Sequence, residues 1–262
     1  MKKTIDLILF MGQSNMAGRG VAEKAPTVPQ GVAFEYKAIT EPDALCPLQE
    51  PFGEKENNLK GVYEPGMKTG SMVSSFVNAY YGQTKTPVVG VSCAKGGSAI
   101  AEWMPGTAYY QDAVERYEAC STWLENHEFV IRHRLMIWCQ GCTDGDLHTT
   151  PEIYRQNTSQ FLHQFMEQCQ IEQCFLIQIG NHRDDEELYV PIQKEQEKLA
   201  KEEKITMVST LPKTFAARDL MKDEFHYLQE GYNLAGEDAG RNTGIFVQSM
   251  ESKIDLPKKW NG

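Results

Sequence analysis

Short apolar runs alternate along this chain with amphipathic segments of about ten or more residues, and that alternation leaves few folds open. The runs Leu7–Met11, Pro87–Ser92, Arg134–Cys139, Cys174–Ile179 and Ile205–Thr210 read as buried strands. Ser71–Tyr81, Thr107–Asn126, Pro151–Gln170, Glu186–Glu203 and Gln229–Asn242 read as helices, with Pro151 in the first-turn position that proline favours. A helix between successive strands returns the chain to the same edge of the sheet. The pattern therefore predicts βαβ units, a five-stranded parallel sheet and right-handed crossovers.

Between the first strand and the first helix lies a polar stretch, about 19–70, that holds Pro26, Pro29, Pro42, Pro47, Pro51 and Pro65. It is too long for an ordinary connector and is expected to build a pocket wall, with Val32–Tyr36 as a short strand inside it. No linker, repeat or shift in composition divides the rest, so residues 1–262 are expected to form a single domain. The segment after Val247 is polar and is expected to pack as an irregular strip.

Composition narrows the function. Charged residues make up 24% of the chain and the formal net charge is -10, which repels phosphate backbones and anionic membrane surfaces, so neither nucleic acid nor membrane is expected as a partner. No stretch approaches the roughly 20 apolar residues of a membrane span. Lys2 and Lys3 before an apolar run imitate a signal peptide, but Asp6 interrupts the run, no small-residue cleavage site follows, and cleavage would remove the first strand. The expected location is cytoplasmic, with an earlier leader left open. Seven cysteines form no disulfide framework and read as buried free thiols of a reducing compartment. The sequence leaves the oligomeric state undetermined.

In a parallel sheet the carboxyl ends of all strands meet at one edge, and the distinctive residues follow strands there. Gly12-Gln-Ser-Asn follows the first strand, Ser92-Cys-Ala-Lys-Gly-Gly-Ser the second, and Cys139-Gln-Gly-Cys-Thr-Asp144 the third; Asp223-Glu-Phe-His226 precedes the last helix. Together these supply acyl-transfer chemistry. Ser14 is the candidate nucleophile and His226 the candidate base. Asp223, three residues before His226, can reach the Nδ1–H of the imidazole and fix its tautomer. The backbone N–H groups of Ser14 and Gly97 and the side-chain amide of Gln140 are candidate oxyanion donors. Gln13, Asn15, Arg19 and Trp103 are candidate substrate contacts, with Arg19 suited to an anionic sugar or, equally, to a nearby Glu. Taken singly, each segment has a plainer reading: Asp223 and His226 as a helix-entry cap, Gly96-Gly97 as an ordinary turn, Ser14 as a capping residue. Four such segments at strand ends of one chain favour the joint reading.

These same residues resemble the SGNH hydrolase superfamily, in particular its sialate O-acetylesterase and acetylxylan esterase group. The resemblance runs from about Leu7 to Gly236. It rests on Gly12-Gln-Ser-Asn-Met16, on Gly96-Gly97-Ser98 followed by Trp103, on Trp138-Cys-Gln-Gly-Cys-Thr-Asp144, and on Asp223-x-x-His226. It implies a flavodoxin-like three-layer α/β/α sandwich. It also implies the Ser14-His226-Asp223 triad with Ser14, Gly97 and Gln140 as oxyanion hole, hydrolysis of acetyl esters on sugars, and no metal or other cofactor. One position departs from the pattern: the Glu usual in the third block is Cys142 here.

That departure creates Cys139-Gln-Gly-Cys142, a spacing that can serve redox chemistry or half a zinc site; no second pair accompanies it, and two unpaired thiols are the favoured interpretation. A sugar-binding protein without catalysis is a further alternative, with Trp103, Tyr109 and Tyr110 as stacking surfaces. His182 and Arg183 lie on the same edge and read equally as a surface loop, and Asp184–Glu187 reads as a solvated helix start.

Overall fold

The structure, a computed structural model, describes residues 2–254. A seven-stranded sheet forms its middle layer, in the order β3-β2-β4-β1-β5-β6-β7. The strands are β1 (Lys3–Gly12), β2 (Ala33–Tyr36), β3 (Leu45–Pro47), β4 (Val88–Ala94), β5 (Phe129–Cys139), β6 (Gln173–Ile177) and β7 (Ile205–Ser209). The five expected strands are β1, β4, β5, β6 and β7. The sheet is wider than expected because the long polar stretch adds β2, which runs parallel to β4, and β3, which runs antiparallel to β2 at the edge.

Successive residues of β1 face opposite sides of the sheet, and both sides are covered. Leu7, Leu9 and Met11 pack into a core with α3 (Ala108–Asn126), α5 (Pro151–Gln168) and α6 (Val190–Leu199). Ile8 and Phe10 pack into a second core with α2 (Val73–Thr84) and α7 (Gln229–Ile254). That is the expected three-layer sandwich, and it explains why β1 reads as one continuous apolar run. Two short helices, α1 (Ser14–Ala17) and α4 (Cys142–Asp146), sit directly on the carboxyl ends of β1 and β5.

Helix α7 departs from the expected boundary. It continues to Ile254 rather than ending near Asn242 and giving way to an irregular strip; residues 255–262 of that strip lie outside the described residues. Helix α6 is shorter than expected, because Pro191 sets its first turn and residues 186–189 form a turn ahead of it. No helix among the described residues is long and apolar enough to cross a membrane.

The topology places the site. The chain leaves β1 for β2 and β4 on one side, then crosses to β5 on the other, so β1 lies at the switch point of the sheet. Crevices open at the carboxyl edge of such a point. The strands flanking it, β4 and β5, carry two of the four distinctive segments.

Candidate active site

The turn after β1 is built on Gly12. Its φ of +142° is unfavourable for other residues, and a Cβ there would lie 2.1 Å from the Cys139 carbonyl oxygen. Gln13 N–H donates to that same carbonyl at 2.9 Å, which ties the turn to β5. Ser14 then opens α1. Its backbone N–H and its hydroxyl make no hydrogen bond among the described residues, so both remain available to a ligand.

Ser14 lines a cavity of about 460 Å³ together with Gln13, Gly96, Gly97 and His226, and the long stretch after β1 supplies the facing wall through Tyr63, Glu64 and Met67. Residues from both ends of the chain thus share one pocket. The His226 ring is fixed from behind: Nδ1 lies 2.8 Å from Asp223 Oδ2. Asp223 Oδ1 accepts the backbone N–H of His226 at 2.7 Å and of Phe225 at 3.1 Å. A carboxylate on Nδ1 places the ring proton there and leaves the lone pair on Nε2. Burial pushes the Asp223 carboxyl up, but the hydrogen bonds from His226 and the two N–H groups outweigh it and hold the group below its ordinary value. Burial holds His226 below the usual imidazole range; Asp223 opposes that shift, while Arg19 and Lys222 add to it. The ring is therefore neutral at pH 7, as a base must be.

Asn15 does not face the cavity. Its Nδ2 donates to the Phe225 carbonyl at 2.9 Å, and its Oδ1 accepts the Tyr232 hydroxyl at 2.8 Å. It ties the 223–226 loop to the β1 turn, which makes it a scaffold for His226 rather than a substrate contact. Trp103 is 0% exposed and packs on Trp138, Tyr109 and Phe161, with Nε1 donating to Ser98 Oγ at 2.9 Å. It is core, not a sugar platform. Arg19 lines the cavity but is engaged: Nη2 is 2.6 Å from Glu64 Oε1, and Nη1 donates to the Met67 carbonyl at 2.9 Å.

Gln140 is also turned away. Its Nε2 donates to the Ser98 carbonyl at 3.1 Å and to Asp144 Oδ2 at 2.5 Å, and its side chain is absent from the cavity wall. The cause is Asp144, one helical turn on, which captures the amide. Gln13, by contrast, lines the cavity. Its Oε1 accepts Gly141 N–H at 2.8 Å, while its Nε2 makes no hydrogen bond among the described residues and belongs to a cavity-lining side chain. The expectation placed Gln13 only among substrate contacts; the donor pair that fixes its amide, Gly141 and Thr143, is visible only once β1 and β5 are adjacent.

Cys139 and Cys142 are both buried. Burial pushes the Cys139 thiol up to about 12 and raises Cys142 well above its ordinary value, which disfavours the thiolates that redox or zinc chemistry needs. Among the described residues no cluster of three or more His, Cys, Asp or Glu is placed to hold a metal ion.

A mixed α/β sandwich with a hydroxyl, an imidazole–carboxylate pair and free N–H groups in one crevice fits an ester hydrolase. Residues 4–242 match the family of carbohydrate esterases described as sialic acid-specific acetylesterases, and the chain belongs to that family. It is a carboxylic ester hydrolase. No curated protein sequence matches it. Solved structures share the fold: a protein from Arabidopsis thaliana superposes with a TM-score of 0.68 at 21% identity, over 94% of this chain and 99% of its own. A carbohydrate acetylesterase from Xanthomonas citri gives 0.57 at 15% identity, over 95% of this chain but only 57% of its own. A variant of an acetyl-xylooligosaccharide esterase from Geobacillus gives 0.53 at 12%, over 93% and 97%.

Proposed function

We propose that the chain hydrolyses O-acetyl esters of carbohydrates, xylan-type or sialic-acid-type, through an acyl-enzyme on Ser14. The observation that carries this is the single cavity shared by Ser14, Gly97, Gln13 and His226, with Asp223 on the far side of the imidazole. His226 Nε2 takes the proton as Ser14 Oγ bonds to the acetyl carbon. The oxyanion accepts from the N–H groups of Ser14 and Gly97 and from Gln13 Nε2. The sugar oxygen leaves with the proton held on His226. Water, deprotonated by the same ring, then attacks the acyl carbon and frees acetate and Ser14.

The sugar has its own surface. Tyr63 and Met67 line the cavity and are 45% and 52% exposed, so each offers an apolar face to a ring stacked above the acetyl group. Arg19 lines the cavity but is already paired with Glu64 through Nη2 and with the Met67 carbonyl through Nη1, which weakens its pull on a sugar carboxylate. The test is acetate release from acetylated xylo-oligosaccharides, O-acetylated sialic acids and an aryl acetate, by the native chain and by Ser14→Ala. The native chain is expected to turn over the aryl acetate and at least one sugar class, and Ser14→Ala to lose nearly all turnover while its melting temperature stays put. Wild-type rates in Ser14→Ala would reject the assignment.

A further inference from the structure

Glu64 is a carboxylate where elementary electrostatics would not place one without cause. Its side chain is 4% exposed. Every polar contact it makes runs through Oε1, which accepts Arg19 Nη2 at 2.6 Å and Gly96 N–H at 2.8 Å, while Oε2 is buried with no partner among the described residues. A buried acceptor left unpaired is destabilising, and its retention calls for an explanation.

The reason lies in the next peptide. The Gly96–Gly97 peptide carries the Gly97 N–H, which makes no hydrogen bond of its own among the described residues and borders the cavity beside Ser14. Two glycines in succession leave that peptide free to rotate unless it is held. Its carbonyl, Gly96 O, accepts Lys95 Nζ at 2.8 Å, and the same ammonium stands 4.0 Å from Glu64 Oε1. Glu64 thus grips the glycine pair twice, directly at the Gly96 N–H and through Lys95 at the Gly96 carbonyl. The loop is fixed at its ends by Lys95 N–H on the Gly12 carbonyl at 2.9 Å and by Gln140 on the Ser98 carbonyl at 3.1 Å. Ser98 Oγ closes the turn by donating to the Lys95 carbonyl at 2.7 Å, and among the described residues the polar contacts on the Gly96 N–H and carbonyl come from Glu64 and Lys95. The absent Cβ at Gly96 is what admits the pair, since one there would meet Arg19 Nη2 at 2.2 Å and Glu64 Oε1 at 2.6 Å.

We infer that Glu64, with Arg19 behind it and Lys95 beside it, is the positioning residue of the oxyanion peptide, aiming Gly97 N–H at the developing negative charge. This rests on the esterase reading above. It also gives Arg19 a role: the guanidinium holds the carboxylate that holds the loop.

The experiment measures p-nitrophenyl acetate hydrolysis and inhibition by methylboronic acid, which adds to Ser14 as a tetrahedral anion and so reports transition-state binding. Glu64→Ala is expected to lower kcat about 10²-fold, as for a modest misplacement of a catalytic group, with KM little changed and the inhibition constant raised by the same factor. Glu64→Gln keeps an Oε1 acceptor at the same reach and is expected to recover most of both. A folded Glu64→Ala with native kcat and inhibition, a loss confined to KM, or a Glu64→Gln as damaged as Glu64→Ala would overturn the inference. Should Glu64→Ala fail to fold, Gly96→Ala carries the test, because its methyl pushes the pair off the peptide. It is expected to show the same joint loss, and native kinetics there would overturn the inference equally. Ser14→Ala separates the two claims: activity in that variant rejects the esterase reading whatever Glu64 does.

Discussion

At the scale of single residues, the imidazole and its carboxylate set the strongest expectations. Asp223→Asn should lower kcat about 10³–10⁴-fold, because an amide can donate to Nδ1 and favours the tautomer with the proton on Nε2, where it cannot receive one from Ser14. The check is kcat against KM on an aryl acetate, with KM moving far less. His226 works as a base only when neutral. It is held below the usual imidazole range, chiefly through burial, so the acid limb of kcat/KM should have its midpoint below the ordinary imidazole value of about 6.5. A midpoint above that value would mean another group is titrating. Gln13→Ala should cost about 10²–10³-fold in kcat as the loss of an oxyanion donor, whereas Gln140→Ala should register first as a lower melting temperature. That Ser14 and His226 share one cavity and that Asp223 meets the His226 ring was legible in the sequence, because each sits in a short, specific string. That Gln140 turns to Asp144 while Gln13 lines the cavity was not, because both glutamines follow strands and only the position of Asp144 decides which amide is captured. Trp103 misled for a similar reason: an aromatic near a glycine pair reads alike whether it faces solvent or the Trp138 ring.

At the scale of elements, apolar runs flanked by helices located the central strands to within a few residues. The first five residues of β5, 129–133, escaped, since Arg132 and His133 carry polar groups that a buried-strand pattern does not admit. They are tolerated because that end of the strand lies at the rim, where Asp6, Glu172 and Glu251 answer them. Strand β2 answers to the short strand expected at Val32–Tyr36, whereas β3 escaped because its three residues lie in a stretch rich in proline and charge. The expected helix takes in Gly236 and Gly240 and stops before Gly244, because glycines weaken a helical pattern. In the fold they are contact surface: a Cβ added at Gly240 would lie 2.2 Å from the Phe76 carbonyl oxygen and one at Gly236 2.1 Å from that of Met72. The two helices therefore approach backbone to backbone. Gly240→Ala gains helix propensity but must push α7 off α2, and the second effect is larger. The expected net destabilisation is about 1–3 kcal/mol, read from denaturant or thermal unfolding. A variant more stable than the native chain would show that the helix pair yields without cost.

On the scale of the whole molecule, the two edges of the sheet hold charge for different ends. The carboxyl edge carries the His226–Asp223 pair. At the amino edge Asp6 is buried under Arg132 and the Tyr80 hydroxyl, Arg132 reaches Glu251 at 2.9 Å, and His133 Nδ1 meets Glu172 at 2.9 Å. This cluster fastens the last turns of α7 to β5 and has no path to the cavity. The hydrogen bond that His133 donates to Glu172 raises His133 above its ordinary value, against the opposing effect of burial. A raised imidazole stabilises the fold fully below the unfolded value, near pH 6.5, and that contribution disappears as pH climbs through the folded value above it. The depressed His226 works the other way: protonation in acid removes the catalytic base and also opposes the buried neutral ring. Activity and the His133 contribution to stability should therefore run in opposite directions across neutrality. Raising pH from 6 to 8 should keep kcat/KM level or rising while the His133 part of the melting temperature falls. His133→Gln keeps a donor for Glu172 but cannot charge, so it should flatten the downward slope of melting temperature in that window and leave the acid limb of kcat/KM in place. If the variant kept the native slope, the cluster at the amino edge would not be the source of that pH dependence; if it moved the acid limb, the two edges would be coupled through the sheet.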